Sequence, residues 1–114
     1  MLTYRNISIS IYVLMNEQQI LKALNNPARL KILGWLKEPE ANFPPHQEVE
    51  GFDQGVCVAF IHRKSGLSQS TISQYMTLLH QADLVISTRI GKWTYYRRNE
   101  KTITAFAKFA KNII

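Results

Sequence analysis

Two groups of side chains in this 114-residue sequence are of the types and spacings that do chemistry. Gln69, Ser70, Ser73, Gln74 and Thr77 recur at intervals of three and four, so a helix here would carry them on one stripe. Short amides and hydroxyls at that spacing suit the reading of nucleic acid. Glutamine can bond adenine through two contacts, and serine or threonine can serve base edges or phosphate oxygens. The stripe holds no acid, which would repel a phosphate backbone. The second group, Arg89, Lys92, Arg97 and Arg98, clusters around Gly91-Lys92, where a thin hairpin would bring cations to a backbone or an adjacent minor groove. Each group has a plainer reading. A Ser/Gln-rich helix face is commonly only solvated surface, and basic residues on a hairpin can serve to blunt a sheet edge. Their succession along the chain favours nucleic acid, because two independent plain readings would have to coincide.

Other reactive residues form no comparable pattern. A single cysteine, Cys57, excludes an internal disulfide and any four-ligand zinc site needing two or four cysteines. Cys57, His62, His46, His80 and Asp53 have no recognised ligand spacing; His62 reads as an exposed helix residue and His80 as a partly packed one. There is no glycine-rich phosphate loop, paired carboxylate or Ser/His/Asp arrangement, and the Cys57/His62 pair lacks supporting groups. The expectation is no enzyme, no metal and no cofactor.

The elements that must position the stripe follow from periodicity and punctuation. Residues 1–14 alternate Ile7, Ile9, Ile11 and Val13 with polar residues, as a short strand or an N-terminal arm over 1–15 would. They lack the features of a signal peptide. A domain over 16–114 begins with a helix at Asn16–Leu24 carrying Ile20, Leu21 and Leu24. Asn26-Pro27 then starts a second helix, with Leu30, Ile32, Leu33 and Leu36 as its apolar face and Pro39 as its stop. Residues 38–55 hold five acids, no base, three prolines and two glycines: a long acidic loop, of a length that is either functional or mobile. A helix over Val56–Ser65 ends at Gly66, and a longer one through Ala82 turns Ile72, Met76 and Leu79 inward. Two strands, Leu84–Ile90 and Trp93–Arg98, join through Gly91-Lys92 as a type II′ hairpin. A last helix, Glu100–Ile114, carries Ile103, Phe106, Ala110 and Ile113 on one face. The fold class is mainly α with a small β-hairpin, an α+β winged helix-turn-helix.

Charge agrees with that order. The net charge is +6, but residues 57–114 alone hold nine bases and two acids, a balance that favours a polyanion. With 46% hydrophobic residues and no apolar run of 18, the chain reads as one globular domain, without a membrane span and of cytoplasmic location.

The segments LKALNNPARLKILGWL (21–36), LSQSTISQYMTLLHQADLV (67–85) and ISTRIGKWTYYRR (86–98) resemble the arsenical-resistance-repressor, or ArsR/SmtB, family of bacterial regulators. The resemblance covers roughly 16–114 apart from 38–55, where typical members pass from the second to the third helix in fewer residues. It implies a homodimeric repressor, paired through its first and last helices, that binds an inverted-repeat operator in double-stranded DNA. The matched recognition helix is 69–82, led by Gln69, Ser70, Thr71, Ser73 and Gln74, with the wing at 86–98. The dimer face would hold Ile20, Leu21, Leu24, Ile103, Phe106, Ala110 and Ile113. Metal sensors of the family carry Cys-Val-Cys where this chain has Cys57-Val58-Ala59, or acidic and histidine ligands on a last helix that here, over 101–114, has none. The effector is therefore left unnamed. Cys57 is either a reactive sensor at a helix start or a small apolar residue tying the acidic loop to the core, and the second reading is preferred because free cysteines are usually buried. The alternative to a DNA-binding repressor is a winged-helix protein-interaction module without DNA binding; the basic wing argues against it.

Overall fold

The structure, a computed structural model, describes residues 16–114, so the strand or arm expected over 1–15 lies outside the described residues. Helix α1 is Glu17–Leu24, and α2 is Pro27–Lys37. Both start on an asparagine: Asn16 Oδ1 accepts from the Gln19 N–H at 3.0 Å, and Asn26 Oδ1 from the Arg29 N–H at 3.0 Å. Such caps satisfy backbone donors that a first helical turn leaves open. A four-residue turn of helix, α3, occupies Pro39–Asn42. Then come β1 (Val56–Cys57), α4 (Val58–Ser65), α5 (Gln69–Gln81), β2 (Val85–Ile90), β3 (Trp93–Arg98) and α6 (Glu100–Ile113).

The three strands form one antiparallel sheet in the order β1-β3-β2, with Ser87 opposite Tyr96 and Arg89 opposite Thr94. Gly91 takes φ 60° in the hairpin turn, the left-handed backbone that its place in the sequence predicts. The core is built from Ile20, Ile32, Ile61, Ile72, Met76, Leu79, Leu84 and Val85, each no more than 1% exposed. It joins the first helices, the helix-turn-helix pair and the base of the hairpin into one body.

Several expectations need correction. Residues 38–55 are not loop throughout, because Pro39 starts α3 and so does not simply terminate α2. Val56 and Cys57 are not helical: they pair with Tyr96 and Tyr95, so the sheet gains a third strand and α4 begins two residues late. Gly55 makes this pairing possible. It holds φ 104°, and any Cβ there would collide with the Tyr96 carbonyl. Leu30 is 51% exposed rather than part of the inner face of α2. Ile20, expected on a surface between subunits, is fully enclosed in the chain's own core, while its neighbour Leu21 is 53% exposed. Helix α5 ends at Gln81, β2 begins at Val85, and α6 ends at Ile113, each one residue inside the expected bound.

Nor does the acidic segment hang free. Phe43 is buried, and the His46 ring lies 4.8 Å from Phe52, 4.9 Å from Phe60 and 5.2 Å from Tyr95, centroid to centroid. Its Nε2 accepts the Cys57 N–H at 3.1 Å, which leaves Nδ1 to donate to the Gly51 carbonyl at 3.1 Å. One imidazole thus fastens the middle of the loop to its end and to the sheet.

Candidate nucleic-acid interface

Gly66, at φ 70°, turns the chain between α4 and α5, and Ser68 starts α5 by accepting the Thr71 N–H on its Oγ at 3.1 Å. The side of α5 formed by Ile72, Met76 and Leu79 is buried. The opposite side exposes Gln69, Ser70, Ser73, Gln74 and Thr77 together, as the spacing predicts. Not all of these are equally available. Ser70 Oγ lies 3.3 Å from Ser68 Oγ, Thr71, half-buried, receives a hydrogen bond from Ser68 Oγ at 2.8 Å, and Thr77 Oγ1 donates to the Ser73 carbonyl at 2.9 Å.

The orientation of α5 is fixed by groups outside it. Arg29, 8% exposed, donates through Nε to the Ala23 carbonyl at 2.6 Å and through Nη2 to the Lys22 carbonyl at 3.2 Å, closing the end of α1. The same guanidinium lies 5.0 Å from the centre of the Tyr75 ring, and Asn26 Nδ2 donates to the Tyr75 hydroxyl at 3.3 Å. Tyr75 therefore ties α5 to the α1–α2 corner. At the far end, Asp83 holds φ 62°, unusual for a residue other than glycine, and its carboxylate accepts from Thr102 Oγ1 at 3.0 Å. This pair links the end of α5 to α6. Neither Arg29 nor Asp83 stands out in the sequence, because each acts through a partner in a different element.

The wing holds its cations in unlike settings. Arg89 is exposed; its Nε donates to the Gly91 carbonyl at 3.2 Å, and its Nη1 to Thr94 Oγ1 at 3.4 Å. Lys92 is exposed at the turn with its Nζ 5.5 Å from the centre of the Trp93 ring, and Arg97 is exposed. Arg98 is occupied: it meets Glu100 through two bonds of 2.8 and 3.0 Å and is largely covered. That contact holds the Glu100 carboxyl below the usual carboxylate range. Behind the wing, burial raises the phenols of Tyr95 and Tyr96 above the ordinary tyrosine value, Cys57 and Glu48 adding to the effect at Tyr95.

The expected apolar face of α1 and α6 is mixed. Leu21 and Ile113 are more than half exposed, whereas Leu24, Ile103, Phe106 and Ala110 are half-buried. Cys57 is buried at the base of the wing, opposite Tyr95. Among the described residues no three His, Cys, Asp or Glu side chains converge as a metal site, and no helix is long and apolar enough to cross a membrane.

No family model matches the chain. It is 47% identical over 100 residues to the uncharacterized HTH-type transcriptional regulator YbzH of Bacillus subtilis, covering 88% of this chain and all of that protein. Over 84 residues, 74% of this chain and 60% of the other, it is 32% identical to a Halobacterium salinarum protein named ArsR2, for arsenical resistance operon repressor. Among solved structures it resembles the homodimeric winged helix-turn-helix DNA-binding domain of Mb0332 from Mycobacterium bovis. There the TM-score is 0.60 and the identity 26%, with 93% of this chain and 82% of that one covered. The ArsR family transcriptional regulator RHA00566 gives a TM-score of 0.63 at 15% identity, covering 83% and 82%, a likeness of fold.

Proposed function

The chain belongs to the ArsR family of winged helix-turn-helix transcriptional regulators, a non-enzymatic family, and from that premise we propose that it is a homodimeric repressor of an inverted-repeat operator. One observation carries the reading: α5 exposes a stripe of amides and hydroxyls beside a basic hairpin, and neither α5 nor the hairpin holds a carboxylate. Gln69, Ser70, Ser73 and Gln74 enter the major groove, where such groups discriminate bases. Thr71 and Thr77, bonded within the helix, support them. Arg89, Lys92 and Arg97 meet phosphate oxygens or the adjacent minor groove, and Arg98 steadies the wing's base through Glu100.

Two copies pair through α1 and α6, with Leu21, Leu24, Ile103, Phe106, Ala110 and Ile113 at the contact and Ile20 beneath it. The homodimeric state of the Mb0332 domain supports a dimer, and the exposed Leu21 and Ile113 favour these two helices as its contact. It sets two recognition helices about 34 Å apart, one turn of duplex. An effector that changes that separation would release the DNA.

The test is capture of genomic fragments by the purified protein, followed by titration of the enriched sequence against a random duplex. The expected result is an inverted repeat bound by two chains at least about a thousandfold more tightly than random DNA. Enrichment of no fragment, with equal affinity for all duplexes, overturns the proposal.

A further inference from the structure

Between α5 and the hairpin lies a cleft of about 310 Å³. Gln69 and Ser73 of α5 stand on one side, Trp93, Thr94 and Tyr96 of β3 on the other, and His62 of α4 also lines it. His62 is half-buried, and among the described residues its imidazole has no hydrogen-bond partner; only its backbone carbonyl is used, by Ser65 Oγ. Among the described residues no carboxylate lines the cleft. The other titratable group among the described lining residues is Tyr96, whose phenol burial raises above the ordinary tyrosine value. The cations next to His62 on α4 are engaged elsewhere, Arg63 over the Phe60 ring at 5.6 Å and Lys64 over Trp35 at 5.2 Å.

The geometry of the duplex says what must pass through such a cleft. One sugar–phosphate strand separates each major groove from the neighbouring minor groove. A protein with a helix in the first and a hairpin in the second straddles that strand. We propose that the cleft seats one phosphodiester of that strand, and that His62, once protonated, donates to a phosphate oxygen there beside the Thr94 hydroxyl. This rests on the DNA-binding reading above and adds to it a phosphate contact that depends on pH. Imidazole is the side chain whose charge changes between about pH 5 and 8, and an added cation at a phosphate steepens the dependence of affinity on salt.

The experiment measures binding to a labelled random-sequence duplex across a salt series at about pH 6 and about pH 8. Wild type, His62→Gln, His62→Lys and Thr94→Val are compared. In wild type the log–log salt slope should be steeper at the lower pH by about one unit, the share of one phosphate. His62→Gln should show the shallow slope at both pH values, and His62→Lys the steep slope at both, a rescue that a misfolded protein could not give. Thr94→Val should weaken binding severalfold at either pH. If His62→Gln steepens on acidification as much as wild type does, the titrating group lies elsewhere and the inference fails. Wild type that binds duplex with one slope at both pH values also overturns it, leaving the DNA-binding reading intact. Wild type that binds no duplex even at low salt overturns both.

Discussion

Thr77 donates its hydroxyl to the Ser73 carbonyl, and Ser70 and Thr71 both share theirs with Ser68, so the exposed groups of α5 left free for the proposed base reading are chiefly Gln69, Ser73 and Gln74. Gln74→Ala should lower discrimination between operator and random duplex by about 1–3 kcal/mol, the worth of one good base contact. Lys92→Ala should instead weaken every sequence alike and flatten the salt slope by about one unit. Competition titrations at several salt concentrations check both; identical behaviour of the two variants would refute the division into base-reading helix and phosphate-holding wing. Arg98 marks where residue type alone misleads. In the sequence it is one of four wing cations, yet its guanidinium is committed to Glu100, and its loss should change the salt slope less than the loss of Lys92. The same pair has a signature in stability. Arg98 lowers the folded-state pKa of Glu100 below its unfolded value. Its contribution is therefore present above the unfolded carboxylate pKa and fades as pH falls through the folded one. Arg98→Ala should thus differ from wild type less and less as pH drops from about 6 to about 3, in thermal melts. Glu100 is 64% exposed, and solvent screening keeps the difference small.

The elements were legible in the sequence wherever a local rule marks them. Asn26-Pro27, Gly66 and Gly91 each set a cap or a turn through their own backbone and immediate neighbours, and the structure uses all three in those ways. What stayed hidden depends on distant partners. A two-residue strand has no periodicity, and Val56–Cys57 becomes one only through Tyr95 and Tyr96, some forty residues away. Ile20 and Leu21 both fit an apolar helix face, and nothing within eight residues says which of them the core will cover. Nothing local marks His46 as the pin of the acidic loop, since Phe52, Phe60 and Tyr95 reach it from three separate segments. His46→Phe, which keeps a ring in the nest but removes the acceptor, should leave the buried Cys57 N–H unpaired and cost about 1–3 kcal/mol in denaturant unfolding. Faster hydrogen exchange at the Cys57 amide should accompany it; unchanged exchange would mean the loop is held by packing alone. The exit from α5 offers a comparable test. Asp83→Ala loses the Thr102 bond while keeping a left-handed backbone that costs a non-glycine residue about 1–2 kcal/mol. Asp83→Gly loses the bond but relieves the backbone. Unfolding free energies should fall in the order wild type, Asp83→Gly, Asp83→Ala.

At the scale of the whole molecule, the two halves of the proposed task lie on different elements. DNA contact is assigned to α5 and the wing, whereas pairing is assigned to α1 and α6, so each can be removed without touching the other. Leu21 and Ile113 leave more than half of their surface to solvent on the two helices proposed to pair. Burying such groups gains about 25 cal/mol per Å², a driving force that a carboxylate at either site would reverse. Leu21→Glu combined with Ile113→Glu should therefore yield a monomer by analytical ultracentrifugation at micromolar concentration. Its helical content by circular dichroism should match wild type, because neither side chain belongs to the buried core. The consequence for DNA is steeper than the loss of one contact. A single winged helix holds one half-site, and two joined subunits hold both, so the second contact is made at the high effective concentration that tethering supplies. Operator affinity should fall by a hundredfold or more, on the order expected when such linkage is removed, while affinity for random duplex, set by phosphate contacts of each subunit, should fall far less. A wild-type protein that sediments as a monomer would refute the dimer, and a double variant that still dimerises would place the pairing surface elsewhere. An operator of one half-site, bound equally well by wild type and variant, would show that pairing is not what makes this fold selective.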